Sequence, residues 1–322
     1  MYFNQNNKFY HGIMFHHFHD NGIHTKGQGS IDKDDFYKMI NFIGRNNILD
    51  ADVFYEKFKN NNLKDNEVCL TFDDAIKCQI DIALPVLEEL KIKSFFFVYT
   101  SLFEGKPDNL EFFRYFRMNY FKSVDEFYDN FYKVLDKDLK SFFEKNSIKI
   151  KETKIKLPYY SISDIKFRLV RDVFLTKVQY EDTMFSMFKE KQFNHNEYSK
   201  KLFFQKNDLQ TLDNLGHIVG LHSHNHPTLL EKLSYDEQKN EYEKNLSLIS
   251  GILDKPKNEI KTMSHPCGSY NADTLEILKE LGIELGFKQI MSIEPEKGMK
   301  KINNSFLEIA RQDHADIFKR MN

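Results

Sequence analysis

A chain of 322 residues has room for one barrel of about 200–250 residues carrying an insertion, or for two domains of ordinary size, and either can bury a full core. Its 46 Lys and Arg against 48 Asp and Glu leave a formal net charge of −2, which gives no electrostatic reason to expect nucleic acid or a membrane surface as partner. Three scattered cysteines, Cys69, Cys78 and Cys267, form no CxxC pair and argue against both a disulfide framework and a thiolate zinc cluster, so any metal has to be held by His and carboxylate.

The start, Met1 to His11, is polar and lacks the basic and apolar regions of a secretory signal, so a cytoplasmic protein is expected. The longest strongly apolar stretch lies around Phe95 to Val98, far short of the roughly 20 residues that span a bilayer, and no integral membrane segment is expected. Short apolar runs read as buried strands at Ile13–Phe15, Val68–Phe72, Ser94–Tyr99, Ile218–Leu221, Lys261–Ser264 and Phe306–Ile309. Helical patterns lie between several of them. Asp32 to Ile43 places Phe36, Met39, Ile40 and Ile43 on one face. Ile80 to Leu90 repeats the pattern, with Pro85 either kinking that helix or delaying its start. Asn271 to Leu281 has Leu275, Leu278 and Leu281 as its stripe and Gly282 as its stop. Strands that alternate with helices predict an α/β fold with a parallel sheet or barrel.

The middle differs. From 104 to 202 the chain is crowded with Phe, Tyr and Lys, shows helical spacing at Phe112, Phe116 and Tyr120, and loses the strand–helix rhythm. The expected organisation is therefore residues 1–103 and 203–322 as two parts of one α/β scaffold, with 104–202 as a mainly helical insertion whose aromatic stripes pack its own core.

Three segments carry chemistry. Thr71-Phe72-Asp73-Asp74 ends an apolar strand in two adjacent carboxylates, which repel and resist desolvation unless a cation relieves them. An exposed acidic turn has the same letters, so this segment alone decides nothing. His222-Ser223-His224-Asn225-His226-Pro227 follows another apolar strand, and imidazole is the commonest metal ligand near neutral pH. Pro227 disfavours the helical region for His226, so a turn rather than a helix is expected there. His222, His226 and one Asp would make a three-ligand site with open positions, the arrangement of a catalytic metal. The third segment, Ser264-His265-Pro266-Cys267-Gly268-Ser269-Tyr270, is by itself an ordinary strand-to-helix turn.

With the three in this order, the chain resembles the polysaccharide deacetylase family, also called the NodB homology domain or carbohydrate esterase family four. The resemblance covers about residues 13–103 and 209–318. It implies a distorted (β/α) barrel of about seven strands, with Asp73 as general base and Asp74, His222 and His226 as ligands of one divalent metal ion. Zinc is the first expectation for that ion, while nickel, cobalt or manganese suits the same ligands. The resemblance also implies that the loop of Pro266, Cys267, Gly268 and Tyr270 lines the substrate groove and offers a backbone N–H to the oxyanion. Three departures stand out. Ser264 occupies the position where many members have the arginine that steadies the base, which leaves Arg311 to supply the guanidinium. Ala75 stands in place of the usual glycine, suggesting a slightly different turn. The late Leu-x-His segment that carries the general acid is missing; a subgroup places that histidine in an N-terminal segment resembling Ile13-Met14-Phe15-His16. His16 is thus the first candidate acid, with His17, His19 and His314 beside Asp313 as rivals.

The expected activity is removal of an N-acetyl or other N-acyl group from an amino sugar, with a nucleotide-linked or lipid-linked precursor of a surface glycan favoured by the expected cytoplasmic address. An amidohydrolase acting on a non-sugar amide and a non-catalytic carbohydrate-binding relative are the competing readings. The expected assembly is a homo-oligomer built through the insertion.

Overall fold

The computed structural model describes residues 2–4, 6–27, 29–156 and 161–321. The chain divides into two compact units, Met1–Asp108 with Lys200–Asn322, and Asn109–Ser199.

The first unit is a nearly closed barrel of seven parallel strands: β1 (His11–Phe15), β2 (Val68–Phe72), β3 (Phe95–Val98), β4 (Ile218–Leu221), β5 (Thr262–Ser264), β6 (Leu285–Phe287) and β7 (Arg311–Asp313). Their order is β6-β5-β4-β3-β2-β1-β7. Both faces of such strands are covered, so they read as unbroken apolar runs rather than alternating ones. Phe95, Phe97, Phe287, Leu285 and Ile309 pack into one core cluster with Phe54. On the opposite face Phe15, Phe72 and Phe96 stack, with ring centroids 4.7 Å apart for Phe72 and Phe96. The register matters more for the site. Phe15 pairs with Phe72, Phe72 with Phe96, Val98 with Leu221, Leu221 with Met263 and Ser264 with Phe287, so each of these strands ends within two residues of its neighbour and the residues that follow them emerge on one rim.

Helices cover the strands, beginning with α1 (Lys33–Ile43), α2 (Ala51–Lys59) and α3 (Leu84–Glu89). The Asp32 side chain caps α1 by accepting from the Asp35 N–H, and Phe36, Met39, Ile40 and Ile43 are its buried stripe, as the spacing predicts. Ahead of α3 comes a single π turn, Gln79–Ala83. The regular helix therefore starts later than Ile80, with Pro85 in its first turn, where a missing N–H costs least. Three further helices, α4 (Lys206–Asn214), α5 (Tyr235–Leu253) and α6 (Ala272–Glu280), follow the second half of the barrel, and α7 (His314–Met321) leaves β7. Positive-φ Gly282 follows α6 as expected and Asn271 caps it, but the buried stripe is Thr274, Ile277 and Leu278, with Leu275 and Leu281 only half-buried.

The last part of the barrel departs from the sequence reading. Phe306–Ile309 is not a strand. Ser305 to Glu308 turns, Phe306 is 37% exposed, and only Ile309 bridges to Phe287 on β6. The chain then crosses to β1, where Gly12 N–H donates to Ala310 O at 2.9 Å, and the strand proper begins at Arg311. This crossing passes so close to Gly286 that a Cβ there would lie 2.8 Å from the Leu307 backbone. Two three-residue strands of mixed composition leave too short an apolar period to be read from sequence.

The second unit is helical, with an aromatic core. Phe116 and Phe131 are fully buried, and Phe116 meets the Phe188 ring at 4.6 Å between centroids. Among the described residues no helix of either unit is long and apolar enough to cross a membrane.

Candidate active site

The shared rim brings the two motifs together. Asp74, His222 and His226 each offer a ligand atom, and these atoms lie within 4.8 Å of one another. Both Nε2 atoms, of His222 and of His226, are 3.2 Å from the same oxygen, Asp74 Oδ1. The opposite ring nitrogens explain why. His222 Nδ1 lies 2.9 Å from the Ser264 carbonyl and His226 Nδ1 3.0 Å from Asp108 Oδ2. Each acceptor requires an N–H at Nδ1, which leaves Nε2 of each ring to meet either the Asp74 carboxylate, when protonated, or a cation, when not. This donor set of two imidazoles and one carboxylate, with both tautomers fixed from behind, fits a divalent cation of the zinc type.

Electrostatics within the cluster are strong. Burial alone would raise the Asp74 carboxyl, yet His226 and His16 beside it, with the His222 hydrogen bond, hold it well below the ordinary range. Burial likewise opposes charge on His226, but Asp74 and Asp108 outweigh it and raise its pKa. In the absence of a cation the carboxylates therefore favour a proton on that ring, which ion binding has to displace.

Asp73 faces the other way along the rim and is almost wholly buried. It forms a two-pronged pair with Arg311: Nη1 donates to Oδ1 at 2.8 Å and Nη2 lies 2.7 Å from Oδ2. Arg311 is itself 1% exposed and is fixed by Nε donating to the Lys288 carbonyl at 3.0 Å. Burial works against ionisation of Asp73. The guanidinium, followed by His222 and His16, brings its pKa below the usual carboxylate value. Ser264, at the position where the resemblance calls for arginine, still reaches Asp73 through its hydroxyl at 3.2 Å. The cation is present, and it comes from the first residue of the closing strand.

His16 follows β1 directly, and its Nε2 is 3.8 Å from Asp74 Oδ2 with a quarter of the side chain exposed. Its carbonyl is held by Gln79 Nε2 at 3.0 Å, and the same amide donates to the Asp73 carbonyl at 2.6 Å. The rivals are placed differently. His19 meets Ser30 Oγ at 3.0 Å and lines a cavity with Asp20, Asp32 and Asp81. His314 is buried, with its nitrogens against the Met14 and Gly29 carbonyls. His17 lies alongside His16, ring centroids 6.5 Å apart.

His224 stands outside the cluster, its Nδ1 2.9 Å from Thr100 Oγ1 and its Nε2 3.4 Å from Glu104. The third motif is only partly as expected. Cys267 is exposed, but Pro266 and Tyr270 are buried. The Tyr270 ring stacks on His265 at 4.1 Å, with Lys297 on it and its hydroxyl donating to Glu308. These two side chains brace the loop from within rather than lining an open groove. Gly268 N–H donates to His265 O and Ser269 N–H to Pro266 O.

Backbone strain gathers here. Asp74 (φ 74°), Ala75 (φ 52°), Ser223 (φ 63°), His226 (φ 54°) and Cys267 (φ 52°) all adopt the left-handed region without being glycine, at about 1–2 kcal/mol each. The sequence motifs contain the three members of the cluster but give no sign of Asp108, Glu241 and Asn245, which bond His226 and the histidine loop, or of Gln79, which holds the His16 and Asp73 carbonyls. Single polar residues in a loop or on a helix face carry no signal of what they will touch.

The carboxyl rim of the parallel barrel thus carries a His–His–Asp cluster that could hold a metal ion, beside an Asp paired with an Arg. Comparison with known families makes this specific: the model described as polysaccharide deacetylase matches residues 60–115 and 173–286. The chain belongs to the polysaccharide deacetylase family. Among solved structures it resembles the Streptococcus pyogenes deacetylase PplD in complex with acetate, at 16% identity over 94% of this chain and 90% of that one, with a TM-score of 0.54. A de-N-acetylase from Aggregatibacter actinomycetemcomitans matches at 11% identity over 97% and 99%, TM-score 0.54. IcaB from Ammonifex degensii matches at 12% over 94% and 91%, TM-score 0.52. At these identities the likeness is one of fold. A search of curated protein sequences finds no match.

Proposed function

We propose that the chain is a divalent-metal-dependent N-deacetylase of amino sugars, acting on a sugar unit of a surface glycan or its precursor. The observation that carries this reading is the convergence of His222 Nε2 and His226 Nε2 on Asp74 Oδ1, beside an Asp73 held ionised by Arg311. Asp74, His222 and His226 would hold the ion, zinc first among the candidates. Such an ion lowers the pKa of a water and polarises an acyl carbonyl.

The chain's own groups supply the rest. Asp73 accepts the proton of the attacking water, and Arg311 fixes the carboxylate so that its free lone pair meets that proton. The main-chain N–H of Cys267, on the exposed turn of the third motif, is the candidate donor to the oxyanion, a contribution usually of about 3–4 kcal/mol. His16 protonates the amide nitrogen as the C–N bond breaks, which an amine leaving group requires. Water thus adds O–H to the acyl carbon and the proton ends on the amine, giving acetate and a free amino sugar.

The test pairs metal content with rate. Asp73→Asn should keep near-normal metal while losing several orders of magnitude in acetate release, because the attacking water has no proton acceptor. Asp74→Asn, His222→Ala and His226→Ala should lose metal and rate together, and His224→Ala should keep most of both. Equal metal loss in all three histidine variants, or activity in both Asp variants, would refute the assignment. Acetate release assayed across polymeric, lipid-linked and nucleotide-linked acetamido sugars identifies the substrate; release only from non-sugar amides overturns the sugar reading.

A further inference from the structure

The loop from His222 to Pro227 has to hold two non-glycine residues, Ser223 and His226, in the left-handed region, yet it carries two of the three ligand atoms. Something outside the loop must fix it. Two buried polar residues on α5 do so. Asn245 and Glu241 are four apart, so they share one helix face, and they are 0% and 7% exposed. Asn245 accepts from the His222 N–H at 3.0 Å and donates to the Val98 carbonyl at 2.9 Å and Thr100 Oγ1 at 3.1 Å. It therefore ties the loop to the end of β3. Glu241 Oε2 accepts from the His224 N–H at 3.0 Å and the Asn225 N–H at 2.7 Å, while Oε1 accepts from Asn225 Nδ2 at 2.6 Å.

A buried carboxylate is costly unless its charge is met. Among the described residues no Lys or Arg forms an ion pair with Glu241, and its three N–H donors all belong to the histidine loop. An amide in the same place would keep all three bonds only with the Asn225 amide turned over, and it would replace a charged acceptor by a weaker neutral one.

We propose that Glu241 and Asn245 are positioning residues of the Asp74, His222 and His226 cluster, which hold the strained loop so that both Nε2 atoms meet at Asp74 and thereby set the affinity for the divalent ion. The inference rests on the metal reading above. It assigns ion affinity to a helix that contributes no ligand.

The experiment uses the full chain and Zn2+ in competition with a chromophoric chelator, with thermal unfolding of the metal-free chain measured in parallel. Glu241→Gln and Asn245→Leu should each weaken Zn2+ affinity about 10–100-fold. Gln238→Leu is the control: one turn earlier on α5 and 0% exposed, Gln238 bonds the Leu233 carbonyl and Thr274 instead of the loop. It should lower the unfolding temperature while leaving the affinity within about twofold of wild type. Unchanged affinity in both Glu241→Gln and Asn245→Leu, or equal weakening in Gln238→Leu, overturns the inference while the metal site stands. A wild-type chain that takes up no Zn2+, Ni2+, Co2+ or Mn2+ overturns the inference and the metal reading together.

Discussion

The two units solve different problems with the same abundant residue, phenylalanine. In the helical unit, Phe113, Phe116, Phe127, Phe131, Phe167 and Phe188 meet mostly edge to face, and their packing asks only for size and helical spacing. In the barrel, Phe15, Phe72 and Phe96 stack just below a rim of charged and imidazole groups whose hydrogen bonds are individually specified. The helical unit can exchange one large apolar residue for another at modest cost. The rim cannot, since each buried charge there depends on particular partners, as Asp73 does on Arg311 and Ser264.

Breaking the Arg311 pair is the severest test of that contrast. Arg311→Met should lower acetate release by at least about 100-fold and destabilise the chain by about 3–5 kcal/mol, because Asp73 is left buried without its cation. Its carboxyl then takes up a proton at higher pH, so the acid limb of the pH–rate profile should move upward. A variant with the parent's rate and denaturation midpoint would show that the pair does not organise Asp73.

Phe116→Ala probes the other side. Loss of this fully buried ring should cost about 3–5 kcal/mol, read by hydrogen exchange as faster opening confined to 109–199. Zn2+ affinity should stay within about twofold. Affinity falling in step with the helical unit's protection would mean that the two units are not independent.

His217→Asn sharpens the comparison within the barrel. His217 accepts from the Ser94 N–H through Nδ1 at 3.0 Å, with Nε2 3.2 Å from Glu88, and burial, helped by Lys93, pushes its pKa down from 6.5 to about 4. The unfolded chain thus binds a proton between pH 6.5 and 4 that the folded chain refuses. Stability from this group is complete above pH 6.5 and is lost as pH falls through about 4. Asn keeps an acceptor for Ser94 and cannot titrate, so denaturation at a series of pH values should show a shallower acid decline, by up to one proton. An unchanged slope would place the acid sensitivity elsewhere, with His11 and His265 the next candidates.

The smallest effect is expected at Ala75. Ala75→Gly removes the cost of a Cβ at φ 52° but loosens the unfolded chain, so the net gain should be about 0.5–1 kcal/mol. A loss of thermal stability would show that the turn is not strained. The left-handed turn itself is kept with Ala in it, so the substitution for glycine is met by strain rather than by another conformation.

What could be read from the sequence follows the same division. The strands β1 to β5 and the helices α1 and α6 were legible because apolar runs and helical spacing are local signals. The members of the His–His–Asp cluster were legible because they lie in two short motifs, Asp73-Asp74 and His222 to Pro227. Strands β6 and β7 were not, since pairing across the barrel, not apolar period, makes Leu285–Phe287 and Arg311–Asp313 into strands. The partners of the ligands were equally hidden. Asp108 lies 118 residues from His226 and Asn245 lies 23 from His222, and only the fold makes those distances short. Tyr270 fits the motif yet is buried, because a motif records which residues recur and not which way they face.

The same long-range pairing gives the barrel's closing strand a role in timing. Asp73 and Arg311 are 238 residues apart, and contacts of such separation form late, after the intervening chain is in place. Until Arg311 docks, Asp73 sits at a strand end with no counter-charge. Any local opening that frees β7 would return Asp73 to that state. The carboxylate that ends the second strand therefore gets its counter-charge only when the two ends of the sequence meet in one sheet.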